Sequence, residues 1–129
     1  MFSYIHSTSV IVSDQEAALN FYVNTLGWEK AMDMTMPNMG GMRWLTVVPP
    51  GAKTQLALAH TSWFTEGEAK PGSTGLSLIT PDIDATYAEL TAKGVKFKSP
   101  VEVMPWGDKG TWFYDPDGNE FFLVEETKA

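Results

Sequence analysis

Thr8-Ser-Val-Ile-Val-Ser-Asp-Gln-Glu-Ala-Ala-Leu-Asn-Phe-Tyr-Val-Asn-Thr-Leu-Gly-Trp28 reads as a β-rich run, a capping signal, a few helical turns and a glycine stop. Leu76-Ser-Leu-Ile-Thr-Pro-Asp-Ile-Asp-Ala-Thr-Tyr-Ala-Glu-Leu-Thr-Ala-Lys-Gly-Val95 repeats that grammar. In the first copy Ser13 and Glu16 have capping-box spacing, and Asp14 adds negative charge where the helix dipole favours it. In the second, Thr80 is the expected cap, with Pro81 at the first helical position, where a missing N–H costs nothing. Ala18, Phe21, Tyr22 and Thr25 share one side of the first helix, as do Ile83, Tyr87, Leu90 and Thr91 in the second. Gly27 and Gly94 fall where a helix ends in a left-handed residue.

Beyond each helix the pattern turns to strands. Residues 28–33, 42–48 and 54–60 read as three strands, and 95–98, 111–114 and 119–125 as three more. Pro49-Pro-Gly51 and Asp115-Pro-Asp-Gly118 mark the turns before the last strand of each half. The expected fold class is therefore α+β, with two tandem β-α-β-β-β modules. Module one spans about residues 1–60, a polar linker about 61–73, and module two about 74–129. Half the chain could not bury its own sheet face, so residues 1–129 are read as a single domain.

Composition narrows the function. The 129 residues are 43% hydrophobic and 12% aromatic, enough for a core without staples. There is no cysteine, which excludes disulfides, thiolate nucleophiles and thiolate metal sites. Sixteen acids against nine bases give a net charge of −7, which argues against a nucleic-acid partner. The same charge keeps a protein soluble and would favour a cationic ligand if acids lined a pocket. No apolar run is long enough to span a membrane, and residues 1–7 lack a signal-peptide pattern. A cytoplasmic location is expected.

Val10-Ile-Val-Ser-Asp14, Phe21-Tyr22, Leu26-Gly27 and Asp115-Pro-Asp-Gly-Asn119 together resemble proteins of the vicinal-oxygen-chelate superfamily, the glyoxalase and bleomycin-resistance fold. Arg43-Trp-Leu-Thr-Val-Val-Pro-Pro-Gly51 and Pro105-Trp-Gly107 resemble a glyoxalase-like, largely uncharacterised branch of it. The resemblance implies paired modules curled into open cups. In active members such a cup holds a divalent metal that chelates vicinal oxygens. Carried over position by position, the four ligand positions become Ser7, Ala57, Gly75 and Phe122. Three offer no donor atom and a lone serine is a poor one, so no metal and no cofactor is expected.

His6 and His60 are the chain's two histidines. Strand side chains alternate faces, so His6 should point away from Ser7 and Ser9, and His60 away from Ala57. A rearranged His6–His60–Glu120 metal site would need a β-bulge. On this parity the cup is lined by Ser7, Ser9, Gln55, Ala57, Gly75, Ser77, Glu120 and Phe122. Arg43, Trp44, Trp106 and Tyr114 fall near its mouth, where indole faces could stack on planar or cationic groups. Trp44 and Tyr114 read equally well as core or dimer contacts. Met32, Met34, Met36, Met39 and Met42 suggest a loop packed on the sheet or, alternatively, an adaptable lid.

The reading is a metal-free protein that sequesters or carries a planar or cationic organic molecule. The alternative is a glyoxalase- or dioxygenase-like lyase, isomerase or oxidoreductase, with a rearranged metal site or Glu120 as base. A third is an interaction module with a vestigial cup. A homodimer is expected, since each module would otherwise leave a sheet edge open.

Overall fold

The computed structural model describes residues 1–64 and 70–127. It divides into two compact units that meet in sequence between Pro71 and Gly72. In the first, strands β1 (Ser7–Val12), β2 (Glu29–Met36), β3 (Met42–Val48) and β4 (Gln55–His60) form a sheet in the order β1-β4-β3-β2. Helix α1 (Gln15–Asn20) follows β1 and continues as a π-helical turn over Phe21–Thr25. The second contains β5 (Ser73–Thr80), α2 (Ile83–Ala92), β6 (Lys96–Phe97), β7 (Glu102–Val103), β8 (Lys109–Tyr114) and β9 (Glu120–Glu125). Its sheet runs β5-β9-β8-β6, with β7 also paired to β8. The outer pairs β1–β4 and β5–β9 are parallel and the others antiparallel, so each mixed sheet repeats the expected plan.

Each unit buries the sheet face that its helix covers. Val10, Val12, Leu45, Val47 and Leu58 are buried with Ala18 and Tyr22 of the first helix. Gln15 fixes that helix by donating to the carbonyls of Leu58 at 2.9 Å and Arg43 at 3.0 Å. The π-turn follows from the Leu26 N–H reaching Phe21 O, and it leaves Trp28 against buried Tyr22 with ring centres 5.4 Å apart. In the second unit an aromatic chain runs from the helix into the sheet. Tyr87 meets Phe97 at 4.6 Å, Phe97 meets Phe113 at 6.0 Å, and Phe113 stacks on Phe121 at 5.4 Å.

The helix starts correct the sequence reading. The N-cap of α1 is Asp14, not Ser13: its carboxylate accepts from Ala17 N at 3.1 Å. The N-cap of α2 is Asp82, not Thr80, and it accepts from Ala85 N at 3.1 Å. A charged carboxylate at the positive end of the helix is the stronger acceptor, so it takes the cap from a nearby hydroxyl. Thr80 bonds Thr86 Oγ1 at 2.7 Å instead, and Pro81 lies outside the helix. Strand β2 runs three residues beyond the expected end, to Met36, and β7 was not anticipated. Of the expected linker, residues 61–63 form a 3₁₀ turn, 65–69 lie outside the described residues, and Ser73 already belongs to β5.

The turn before β9 decides where that strand begins. Asp115 is buried and accepts from the backbone N–H of Asp117 and Asn119 and from Asn119 Nδ2 at 2.8–3.0 Å. Gly118 completes the turn at φ 86°, a conformation that favours glycine. Asn119 Oδ1 in turn accepts from Gly72 N at 3.2 Å, which ties the start of β5 to the same corner.

Removing either cap should cost about 1 kcal/mol. Urea unfolding of Asp14→Ala and Asp82→Ala should each show that loss. An unchanged midpoint for Asp14→Ala would return the first cap to Ser13.

Candidate functional site

Because α2 covers one face of the second sheet, the side chains of opposite parity are left on the other. Ser77 pairs with Phe122, Trp112 with Phe122, and Tyr114 with Glu120, so all five residues share the uncovered face. A cavity of about 500 Å³ opens there, lined by Gly75, Ser77, Trp106, Asp108, Trp112, Glu120 and Phe122 among others. Five of these seven were expected at the cup or its mouth. The sequence reading missed Trp112 and Asp108. Trp112 had a signal: it lies two residues from Tyr114 and shares its parity.

Phe122 is the floor. Its ring lies 4.9 Å from that of Trp112 and 6.0 Å from that of Trp106, tilted by 47° and 60°. This placement depends on Gly110. A Cβ there would stand 2.5 Å from Phe122 Cζ and 2.7 Å from Cε1, so only a residue without a side chain lets the ring lie across β8. Gly75 has φ 70° and sits where the β5–β9 register shifts between Ser73 and Ser77. Thr74 holds that irregularity by donating to Glu120 O at 2.7 Å and accepting from Leu76 N at 3.0 Å.

Two carboxylates border the aromatic floor. Trp106, 62% exposed at the rim, donates its indole N–H to Asp108 Oδ2 at 3.0 Å. Tyr114 stands opposite Glu120 on the sheet, and partial burial, followed by the nearby Glu120 carboxylate, raises the phenol above its ordinary pKa. The Glu120 carboxylate lines the cavity and offers acceptor capacity for a guest.

In the first unit the parity opposite the helix is itself buried at its centre, at Thr46, Ala57 and Ala59. Ser7 pairs with Gln55, Ser9 with Ala57, and Thr46 with Ala57, as alternation predicts. Met32, Met34 and Met36 stand opposite Thr46, Trp44 and Met42 on β3, so these methionines belong to a strand face and not to a loop. Trp44 stacks on Trp63 at 6.1 Å, with the rings 18° from parallel. Gln55 accepts from Thr46 Oγ1 at 2.7 Å.

Arg43 has a different role from the one expected at the mouth. Its Nε and Nη2 each meet an Asp33 oxygen at 2.8 Å, and its Nη1 meets Glu16. The guanidinium fork is committed to these two acids. Hydrogen bonds from Arg43 lower the Asp33 carboxyl from 3.8 to about 2, and Arg43 is raised in return. His60 is also committed. It pairs with Val12 on the helix-covered parity, its Nδ1 accepts from Ser62 N at 3.0 Å, and its Nε2 lies 3.0 Å from Ser13 O. Nδ1 therefore acts as acceptor and Nε2–H as donor. His6 is exposed and lends its carbonyl to Gln55 N at 2.9 Å.

The comparisons with known proteins fit this geometry. The family model described as Glyoxalase/Bleomycin resistance protein/Dioxygenase superfamily matches residues 4–123. The chain belongs to that superfamily. YetH, an uncharacterized protein of Bacillus subtilis (strain 168), is 32% identical over 125 residues, covering 97% of this chain and all of YetH. A superfamily member from Sphaerobacter thermophilus DSM 20745 is 60% identical with TM-score 0.90, covering 97% of this chain and 98% of that one. TnmS3, described as an antibiotic binding protein from Streptomyces sp. CB03234, is 39% identical with TM-score 0.82, each chain covered to 98%.

The superfamily's chelate does not fit these residues. Ala57 is fully buried and has no donor, Gly75 has no side chain, and Phe122 presents a ring. Ser7 alone among the four carries a heteroatom, and one hydroxyl does not hold a divalent ion. A different trio could approach one, since Asp82, Asp84 and Glu125 each place an oxygen within 4.8 Å of the others. Each has another task. Asp82 caps α2, Glu125 accepts from Ile83 N, and Asp84 pairs with Lys109 at 2.6 Å.

Two outcomes test this description. Gly110→Ala should displace Phe122, at a cost of about 1–3 kcal/mol and with a changed near-ultraviolet dichroism signal. Adding Phe122→Leu should recover much of the stability, whereas an undisturbed Gly110→Ala would show that the contact does not constrain the ring. Separately, an Asp33 carboxyl depressed in the folded state contributes stability above its unfolded pKa near 3.8, lost as pH falls through about 2. Asp33→Asn should flatten that acid limb between about pH 4 and pH 2 in urea titrations.

Proposed function

We propose that this protein is a metal-free small-molecule binder that sequesters or carries a planar or cationic organic compound in the cavity of its second unit. The observation that carries the reading is the three-ring wall of Trp106, Trp112 and Phe122, and the resemblance implies a metal ligand at the Phe122 position. A cavity of about 500 Å³ suits a drug-sized guest. Burying apolar area against the rings would supply most of the affinity, and Asp108 and Glu120 would orient a hydroxyl or a cation. That TnmS3 is described as antibiotic binding supports the same class of role, and the ligand proposed for this chain remains defined by its own residues.

We also read the two units as modules of one domain, and the working form as a homodimer. Strands β1 and β5 each have one neighbour in their sheets, and an open edge favours pairing with a second copy. A cytoplasmic location stays part of the proposal. Among the described residues, no helix is long and apolar enough to cross a membrane.

Fluorescence titration tests the binding role, because two of the five tryptophans line the cavity. Saturable quenching by at least one member of a panel of planar and cationic compounds is expected, with affinity falling about tenfold or more in Trp112→Leu. A panel that gives no saturable quenching would overturn the reading.

A further inference from the structure

The aromatic corner of the cavity discriminates between the two ligand types named above. A flat polycycle gains most from rings that lie parallel to it. Here the Phe122 ring is tilted 47° from Trp112 and 60° from Trp106, at centre distances of 4.9 and 6.0 Å. Such walls form a concave corner. A flat guest lying on Phe122 could not also lie flat on either indole, whereas a compact tetrahedral group can touch more than one ring.

The charges that line the cavity share one sign. Among the described residues lining the cavity, the ionisable ones are Asp108 and Glu120, both acids. The indole N–H of Trp106 holds Asp108 at the rim, and Glu120 stands opposite Tyr114 on the sheet, two residues from Phe122 and on the same face. Ring faces carry negative potential, so rings and carboxylates favour the same guest. The Trp112 indole already accommodates one ammonium, since Lys98 Nζ lies 5.4 Å from its ring centre. Lys98 itself does not line the cavity. The net charge of −7 adds long-range attraction for a cation.

We propose that the corner formed by Trp106, Trp112 and Phe122 binds an alkylated ammonium head, with Glu120 as its main counter-ion. The inference rests on the small-molecule reading above and narrows it to a substrate class. A trimethylammonium-type head is compact, positively charged on every outward methyl and weakly hydrated, so it loses little on leaving water. It has no N–H to donate, which suits walls made of rings. The rest of the cavity is left for the substituent on the nitrogen.

The test compares choline with its neutral isostere 3,3-dimethyl-1-butanol, and with acridone as a neutral planar probe. Indole N–H signals of ¹⁵N-labelled protein are followed through the titrations, which reads weak binding and localises it. Choline should shift the Trp106 and Trp112 signals and bind about tenfold more tightly than the isostere. Glu120→Gln keeps the size of the side chain, and Trp106→Leu alters an exposed residue, so both should fold. Both should weaken choline several-fold, and Glu120→Gln should do so while leaving the isostere nearly unchanged. Equal binding of choline and isostere, shifts with acridone alone, or choline binding indifferent to both substitutions would overturn the ammonium assignment and leave the binding role standing. No shift with any of the three at millimolar concentration would overturn the ammonium assignment, while quenching by another member of the wider panel would still support the binding role.

Discussion

Each sheet in this chain has one helix to cover it, and a helix can cover one face. That constraint organises the rest. Residues of one parity on β1, β3 and β4 pack as Val10, Val12, Leu45, Val47 and Leu58, while those on β8 and β9 pack as Phe113, Phe121 and Leu123. In the second sheet the other parity is then available for chemistry. A one-residue slip in β9 would exchange Phe122 with Phe121 and move the site into the core, so the register must be held firmly. The buried Asp115–Asn119 turn supplies that hold, because its hydrogen bonds end β8 and start β9 at fixed residues.

On the available face, an aromatic ring at Phe122, where the resemblance implies a metal ligand, offers a different kind of binding. A chelate site gathers donors around a point charge. Phe122 instead offers area and a negative ring face, and it is braced by two indoles. The ring requires room on the neighbouring strand, which Gly110 provides by having no Cβ. Of the carboxylates at the border, Asp108 is held by the neutral indole N–H of Trp106 and not by a basic side chain. Arg43 shows the contrast: its charge is spent on Asp33 and Glu16, which tie β2, β3 and α1 together.

Much of this was legible in the sequence for a physical reason. Side-chain alternation is strict, so placing Ser7, Ala57 and Phe122 on strands also placed Ser9, Gln55 and Glu120 on the same faces and sent His60 to the other. The helix-ending glycines Gly27 and Gly94 were readable because φ values of 78° and 89° favour residues without a Cβ. What escaped depended on contacts distant in sequence. Nothing local says that Arg43 meets Asp33 ten residues away, or that Gly110 must make room for Phe122. The caps were misplaced by one or two residues because serine, threonine and aspartate compete for the same backbone N–H groups, and charge decided between them. Strand β7, two residues long, has too little pattern to read.

The central claim is that an aromatic floor has replaced the chelate, and metal stoichiometry tests it most directly. Protein purified without chelator, then offered nickel, zinc, manganese or iron and dialysed, should retain far less than one equivalent per chain. Retention near one equivalent, lost on replacing His6 or His60, would contradict the account and return those histidines to the site.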